Sequence, residues 1–189
     1  CGSVFGLVDV EEDDIATLGH SDPNSGPSSQ IDQSGKYAIA HFKLTHEIGR
    51  GAFGSVWRAD DTKLDRTVAV KVPRPGHFTR DTAELFLREA RSAAQLSHPS
   101  IVTIYEIGRH DDRIYIVSDF IDGKSLDQLL KQRRMSVRES VELCVIVAGA
   151  LEHAHVNGVI HRDLKPANIL LNHNEHPFLT DFGLAKREA

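Results

Sequence analysis

Cysteine is scarce in this chain: two among 189 residues, Cys1 and Cys144. One is terminal and the other lies in the apolar run 143–151. That placement argues against a disulfide framework and points to a reducing compartment, the cytoplasm. Long hydrophobic runs are also missing. The 143–151 run is far shorter than the roughly 20 residues of a bilayer helix, so it reads as a buried helix, and no membrane segment is expected within the chain. There is no charged-then-apolar leader. Residue 1 is not Met, so the chain reads as beginning inside a longer protein. A basic excess is absent as well. The 22 Lys and Arg against 27 Asp and Glu leave a net charge of -5, which argues against a nucleic-acid partner. No internal repeat is visible. What remains, 40% hydrophobic and 26% charged residues, suits a globular domain.

Residues 1–40 carry Glu11-Glu12-Asp13-Asp14 and then Asp22-Pro23-Asn24-Ser25-Gly26-Pro27-Ser28-Ser29. Such sequence buries too little apolar area to offset chain entropy, so a disordered acidic arm is expected. From Phe42 short β-type runs take over. Residues 42–49, 54–59 and 67–72 read as antiparallel strands, and 101–107 and 113–117 as two more. Between them, 79–96 reads as a helix, with Ala83, Phe86, Leu87, Ala90 and Ala94 at helical spacing and His98-Pro99 as its stop. After Gly123 the pattern is helical. Residues 125–133 form a short helix. Ser136 caps a long one, with Glu139 as capping-box partner, and Asn157-Gly158 ends it. Two short strands then flank Asn174.

Two strings carry chemistry. His161-Arg162-Asp163-Leu164-Lys165-Pro166-Ala167-Asn168 is followed by Asp181-Phe182-Gly183. Upstream, Gly49-Arg50-Gly51-Ala52-Phe53-Gly54 fits G-x-G-x-x-G, and Val68-Ala69-Val70-Lys71 ends a strand on an ammonium. Glycines let a backbone approach phosphate oxygens and offer N–H groups to them. The strand-like Ser55-Val56-Trp57-Arg58-Ala59 that follows fits a hairpin rather than the strand-to-helix turn of dinucleotide binders. An ammonium in a partly dry cleft needs a negative partner. The set of Asp163, Lys165, Asn168 and Asp181 is the combination that phosphoryl transfer demands.

In these motifs the chain resembles the eukaryotic-like protein kinases, the Ser/Thr branch in particular, over residues 41–189. The resemblance implies an α+β, protein-kinase-like two-lobe fold. A five-stranded antiparallel lobe with one helix and the hinge would span 41–121, and an incomplete, mainly helical lobe would span 122–189. It implies ATP and Mg2+ as cofactors and Ser/Thr hydroxyls of a protein as substrate. Asp163 would be the catalytic base and Lys165 would meet the γ-phosphate. Lys71 would contact the α- and β-phosphates and pair with a helix glutamate. Glu89 is preferred over Glu84 because Ala90, Ala93 and Ala94 beside it allow close packing. Asn168 and Asp181 would bind magnesium through oxygen. Gly49, Gly51 and Gly54 would line the phosphates. Ile48, Val56 and Ala69 would cover the adenine, and Leu170 would form the floor beneath it. The main chain of Asp119 and Ile121 would meet its edge, with Ser118 as a small gatekeeper that opens a back pocket. His161 and Phe182 would pack between the lobes.

Departures and alternatives follow from the same residues. The chain stops eight residues after Asp181, where the family places its activation segment. Arg162 therefore has no phosphorylated loop to meet, and residues 1–189 alone are expected to show little activity and limited stability. The alternatives are an ATP-binding pseudokinase or regulatory fragment without turnover, and a kinase-like small-molecule phosphotransferase. The 11 histidines invite a metal reading. His153 and His155 point to different faces of a helix, and His173 and His176 flank a turn, so they read as structural or surface residues.

Overall fold

Along one strand, burial on both faces marks the centre of the first half of the molecule. In β6 (Arg113–Asp119), Ile114 and Ile116 turn to one apolar cluster while Tyr115 and Val117 turn to another. The period of two sends alternate side chains to opposite sides of the sheet, so a doubly covered strand must be apolar throughout. The computed structural model describes residues 37–51, 54–74, 80–111 and 113–182. Most of the arm lies outside these residues.

Six antiparallel strands form the first sheet, in the order β1-β2-β3-β4-β6-β5. They are β1 (Ala38–Ile39), β2 (Phe42–Gly51), β3 (Gly54–Asp61), β4 (Arg66–Pro73), β5 (Ile104–His110) and β6. The sequence implied five. The sixth, β1, falls in the stretch read as the arm and pairs Ala38 with Lys43 and Ile39 with Phe42. Ile39 is buried there against Phe42 and Leu44. A two-residue strand has too little pattern to be read from sequence.

One helix, α1 (Arg80–Ala94), lies on the sheet and seats Ala83, Phe86 and Ala90 against Ile114 and Ile116. The strand expected from residue 101 starts instead at Ile104. Residues 100–102 are committed elsewhere: Leu179 N–H donates to Ser100 O at 2.8 Å, and Val102 N–H donates to Leu179 O at 2.9 Å. These bonds tie the first half of the molecule to the second.

The second half holds β7 (Gly123–Ser125), α2 (Leu126–Gln132), α3 (Val137–Val156), β8 (Ile169–Asn172) and β9 (Pro177–Leu179). Strands β7, β8 and β9 form a small antiparallel sheet, of which β7 was not expected from sequence. Ser125 caps α2 and Ser136 caps α3, each in a full capping box, with Gln128 and Glu139 as the reciprocal partners. Gly158, at φ 75, takes the left-handed turn that ends α3. Val147, Ala150 and Ala154 of α3 pack against Ile169, Leu171 and Leu179, beneath the loop that carries the candidate residues. The opposite face leaves Val137, Val141, Val145 and Val156 exposed, Val137 at 82%.

Candidate active site

Local geometry first brings the glycine hairpin over a cleft. Gly51 pairs with Gly54 across β2 and β3, and Gly49 with Val56. A Cβ on Gly51 would meet nothing within 4 Å, so its backbone is open to a ligand. Gly54 is different. At φ 147, a Cβ there would stand 2.1 Å from Val72 O, so its glycine is required by contact with β4. Ala52 and Phe53 lie outside the described residues. Ile48 is 43% exposed, Val56 is half-buried and Ala69 is buried.

Lys71 leaves β4 toward this cleft with its side chain only 14% exposed. Its Nζ donates to Asp181 Oδ1 at 2.7 Å. The expected partner, Glu89, is engaged elsewhere: Arg162 Nη1 donates to Glu89 Oε1. This corrects the pairing read from sequence. Two cations and two carboxylates meet at the junction of the lobes, and they pair crosswise. Glu89 is half-buried while Glu84 is exposed, and Lys71 is paired with Asp181 rather than with either of them. Arg162, for which the sequence offered no partner, acquires one.

The loop after α3 gathers the remaining groups. Lys165 Nζ donates to Asp163 Oδ2 at 2.6 Å. Asn168 Nδ2 donates to the same oxygen at 3.1 Å and to Asp163 O at 2.8 Å. The Lys165 hydrogen bond, with that of Asn168, holds the Asp163 carboxyl below the usual aspartate range despite the opposing effect of burial. Asp163 is therefore an ionised acceptor at neutral pH. Arg162 and Asp181 both adopt left-handed backbone, at φ 62 and 65, which is sparsely populated for residues other than glycine.

His161 is 2% exposed, and burial pushes its imidazole pKa down. Its Nδ1 accepts from Asp163 N–H at 3.4 Å, and its ring lies 4.5 Å from that of Phe182. Phe182 belongs to the same buried cluster as Ala93 and Leu96 of the first half. Both residues thus pack between the lobes, as the resemblance implied. Gly183 lies outside the described residues.

Thr180 N–H donates to Asn168 O at 3.1 Å. A continuous path therefore runs from Lys71 to Asp181, through Thr180 to Asn168, then to Asp163 and Lys165. Residues drawn from β4, from the loop after α3 and from the segment after β9 are thereby linked by hydrogen bonds. Asn168 donates through its amide nitrogen to Asp163, so its amide oxygen would be the atom offered to a cation. With the Asp181 carboxylate it supplies oxygen donors only, a set that fits Mg2+.

Ser118 and Asp119 end β6, opposite Ala69 and Val68 of β4. Lys71, Ser118, Ile104, Ile116, Asp181 and Phe182 line a cavity behind the cleft. Ile121 follows in the linker, and Leu170 is half-buried on β8. Of the histidines, His153 lies against His98 with ring centroids 5.2 Å apart, His173 meets Asp122, and His176 meets Ser100.

The family described as "Protein kinase domain" matches residues 42–189. The probable serine/threonine-protein kinase PknB of Lactococcus lactis is 41% identical over 157 residues, covering 82% of this chain and 25% of that protein. The serine/threonine-protein kinase PrkC of Bacillus subtilis is 37% identical over 80% of this chain and 24% of its own length. The chain thus spans about a quarter of the length of these relatives. The crystal structure of the Mycobacterium tuberculosis PknI kinase domain superposes with a TM-score of 0.73 at 30% identity, over 80% of this chain and 63% of that one.

Proposed function

The chain belongs to the protein kinase family, in its bacterial serine/threonine type, and from that membership we propose that its parent protein transfers the γ-phosphate of Mg-ATP to Ser or Thr hydroxyls of proteins. The observation that carries this reading is the unbroken path of contacts from Lys71 through Asp181 and Asn168 to Asp163.

In this mechanism Asp163 accepts the proton of the attacking hydroxyl and aims its oxygen in line with the phosphorus. The carboxylate is ionised because Lys165 and Asn168 hold it so. Lys165 turns from Asp163 to the γ-phosphate as negative charge shifts there. Lys71 leaves Asp181 for the α- and β-phosphates. Mg2+, held by Asn168 and Asp181, would neutralise charge on the phosphate oxygens. Ile48, Val56, Ala69 and Leu170 enclose the adenine, Gly49, Gly51 and Gly54 cover the phosphates, and the main chain of Asp119 and Ile121 meets the base edge. The setting is an ATP-supplied, reducing compartment, the cytoplasm. Among the described residues no helix is long and apolar enough to cross a membrane.

One observation favours the second reading, a nucleotide-binding module without turnover. Glu89 is held by Arg162, so the pair that would orient Lys71 for transfer is not assembled. A single experiment separates the two. The full-length protein with Mg-ATP should phosphorylate a Ser/Thr protein substrate, and Asp163→Ala should abolish transfer while retaining nucleotide binding. Nucleotide binding with no transfer by the unmutated protein would favour the second reading. Transfer that survives Asp163→Ala would overturn the assignment of the base.

A further inference from the structure

Three histidines from three separate segments converge where the two halves of the molecule are joined. His98 lies in the segment after α1, His153 in the last turn of α3 and His176 in the turn before β9. Two of them hold Ser100, which is only 2% exposed. Ser100 N–H donates to His98 Nδ1 at 3.1 Å, and Ser100 Oγ lies 3.0 Å from His176 Nε2. The third, His153, faces the His98 ring with centroids 5.2 Å apart. Ser100 is also the residue whose carbonyl accepts from Leu179 N–H, beside the bridge between Ile101 and Leu179. The histidines therefore brace the tie between β9 and the segment that leads into β5.

The bond to Ser100 fixes the state of the His98 ring. Because Nδ1 accepts, the proton sits on Nε2 and the ring is neutral. The ring does what an Asn side-chain oxygen does in a turn, accepting from the N–H two residues on. A second proton would remove that acceptor and leave a buried N–H without a partner, which is costly. It would also set a cation against His153 from α3 and His176 from the turn before β9, the titratable groups that face it. Among the described residues, the histidines paired with carboxylates are His41, His110 and His173, so no such partner offsets a charge here. Nor is any group of three among these residues arranged to hold a metal ion. Burial, and then the two facing imidazoles, hold the His98 pKa below the usual histidine range.

We propose that His98, with His153 and His176, forms an acid-sensitive latch between the two lobes: the neutral ring holds Ser100, and protonation in a mildly acidic medium releases it and loosens the bridge to Leu179. The direction follows from linkage. A histidine whose pKa is lower in the folded chain than in the unfolded one stabilises fully above about pH 6.5, and that stabilisation fades as pH falls from there toward the folded value. The tie is thus intact at neutral pH and weakens on acidification. Lys71 and Asp163 stand on opposite sides of it, so the latch would place the alignment of the cleft under the control of pH.

Hydrogen–deuterium exchange of the full-length protein at pH 7.5 and pH 5.5, corrected for the intrinsic rate at each pH, reads the opening of this tie. Protection of peptides spanning 98–102 and 177–180 should fall about three- to tenfold between the two, tenfold being the limit for one histidine with an unfolded pKa near 6.5. Protection of β3 and β4 should not change. His98→Asn keeps an acceptor for the Ser100 N–H and does not titrate in this range, so both peptides should stay within about twofold. His153→Gln removes an imidazole that opposes charge on His98, and the loss should become smaller. Protection independent of pH in the unmutated protein would overturn the proposal. An equal loss in β3 and β4 would show general acid unfolding and overturn it as well, and so would a loss of unchanged size in either variant.

Discussion

Replacing Lys71 with Met should separate stability from nucleotide binding. Lys71 Nζ and Asp181 Oδ1 are 2.7 Å apart, with side chains 14% and 35% exposed. At an effective dielectric constant of 20, that separation gives a gross attraction of about 6 kcal/mol. Desolvating a largely buried ammonium takes back several kcal/mol, so the net contribution of the pair is about 1 kcal/mol. Methionine keeps the apolar stem that packs in the cleft, and Asp181 is exposed enough for water to replace its lost partner. The variant should therefore unfold in urea within about 1 kcal/mol of the unmutated protein. Mg-ATP binding should respond far more. A charge-assisted contact to phosphate is worth about 2–3 kcal/mol, which is a loss of roughly 30- to 150-fold in affinity. Equilibrium urea denaturation and titration calorimetry measure the two quantities on the same sample. A stability loss above about 3 kcal/mol would mean that the pair is structural. Unchanged Mg-ATP affinity would mean that Lys71 does not reach the triphosphate. Either result refutes the reasoning.

Two further outcomes are expected. Lys165→Met removes the largest influence holding the Asp163 carboxyl below its usual pKa, so that pKa should rise in a carbon-13 NMR titration of the side-chain carboxyls. The sign for stability follows. A carboxyl depressed in the folded state stabilises above the unfolded pKa, and that stabilisation fades as pH falls through the folded value. The variant should accordingly show a shallower loss of stability as pH falls below about 4, and a titration identical to the unmutated protein's would contradict the Lys165 contact. Ser118→Phe should fill the cavity between Lys71, Ile104 and Phe182. An ATP-competitive ligand with a bulky group directed behind Ser118 should then lose affinity by at least about tenfold while Mg-ATP is held within a few-fold, and equal binding of the ligand to both proteins would remove the back-pocket assignment.

The two kinds of contact in this molecule differ in how far apart their partners lie along the chain. Ser136 and Glu139 are three residues apart, and their capping box was legible because a helix start is a local event. The same holds for the Asn157-Gly158 stop and for the short β-type runs that mark β3, β4 and β6. The string from His161 to Asn168 was legible too, since Asp163, Lys165 and Asn168 meet within a single loop. The short strands β1 and β7 were not, because two or three residues show no period and gain their stability from the neighbour they pair with.

Sequence alone therefore determined the family, the order of the longer elements and the chemical groups available to the site. Which group pairs with which was decided by the tertiary structure. Lys71 and Asp181 are 110 residues apart, and Glu89 and Arg162 are 73 apart. Spacing says only that an ammonium, a guanidinium and two carboxylates must be neutralised. The distances between these groups in the folded chain select the crosswise pairing over the one the motifs implied. The register shift in β5, where Ile104 pairs with Ser118 but Glu106 with Val117, belongs to the same class, because an extra residue in a strand is defined only against the partner that lacks it. Local sequence encodes periods, caps and reactive side chains, while electrostatic partner choice and register depend on distances that exist only after the chain has folded.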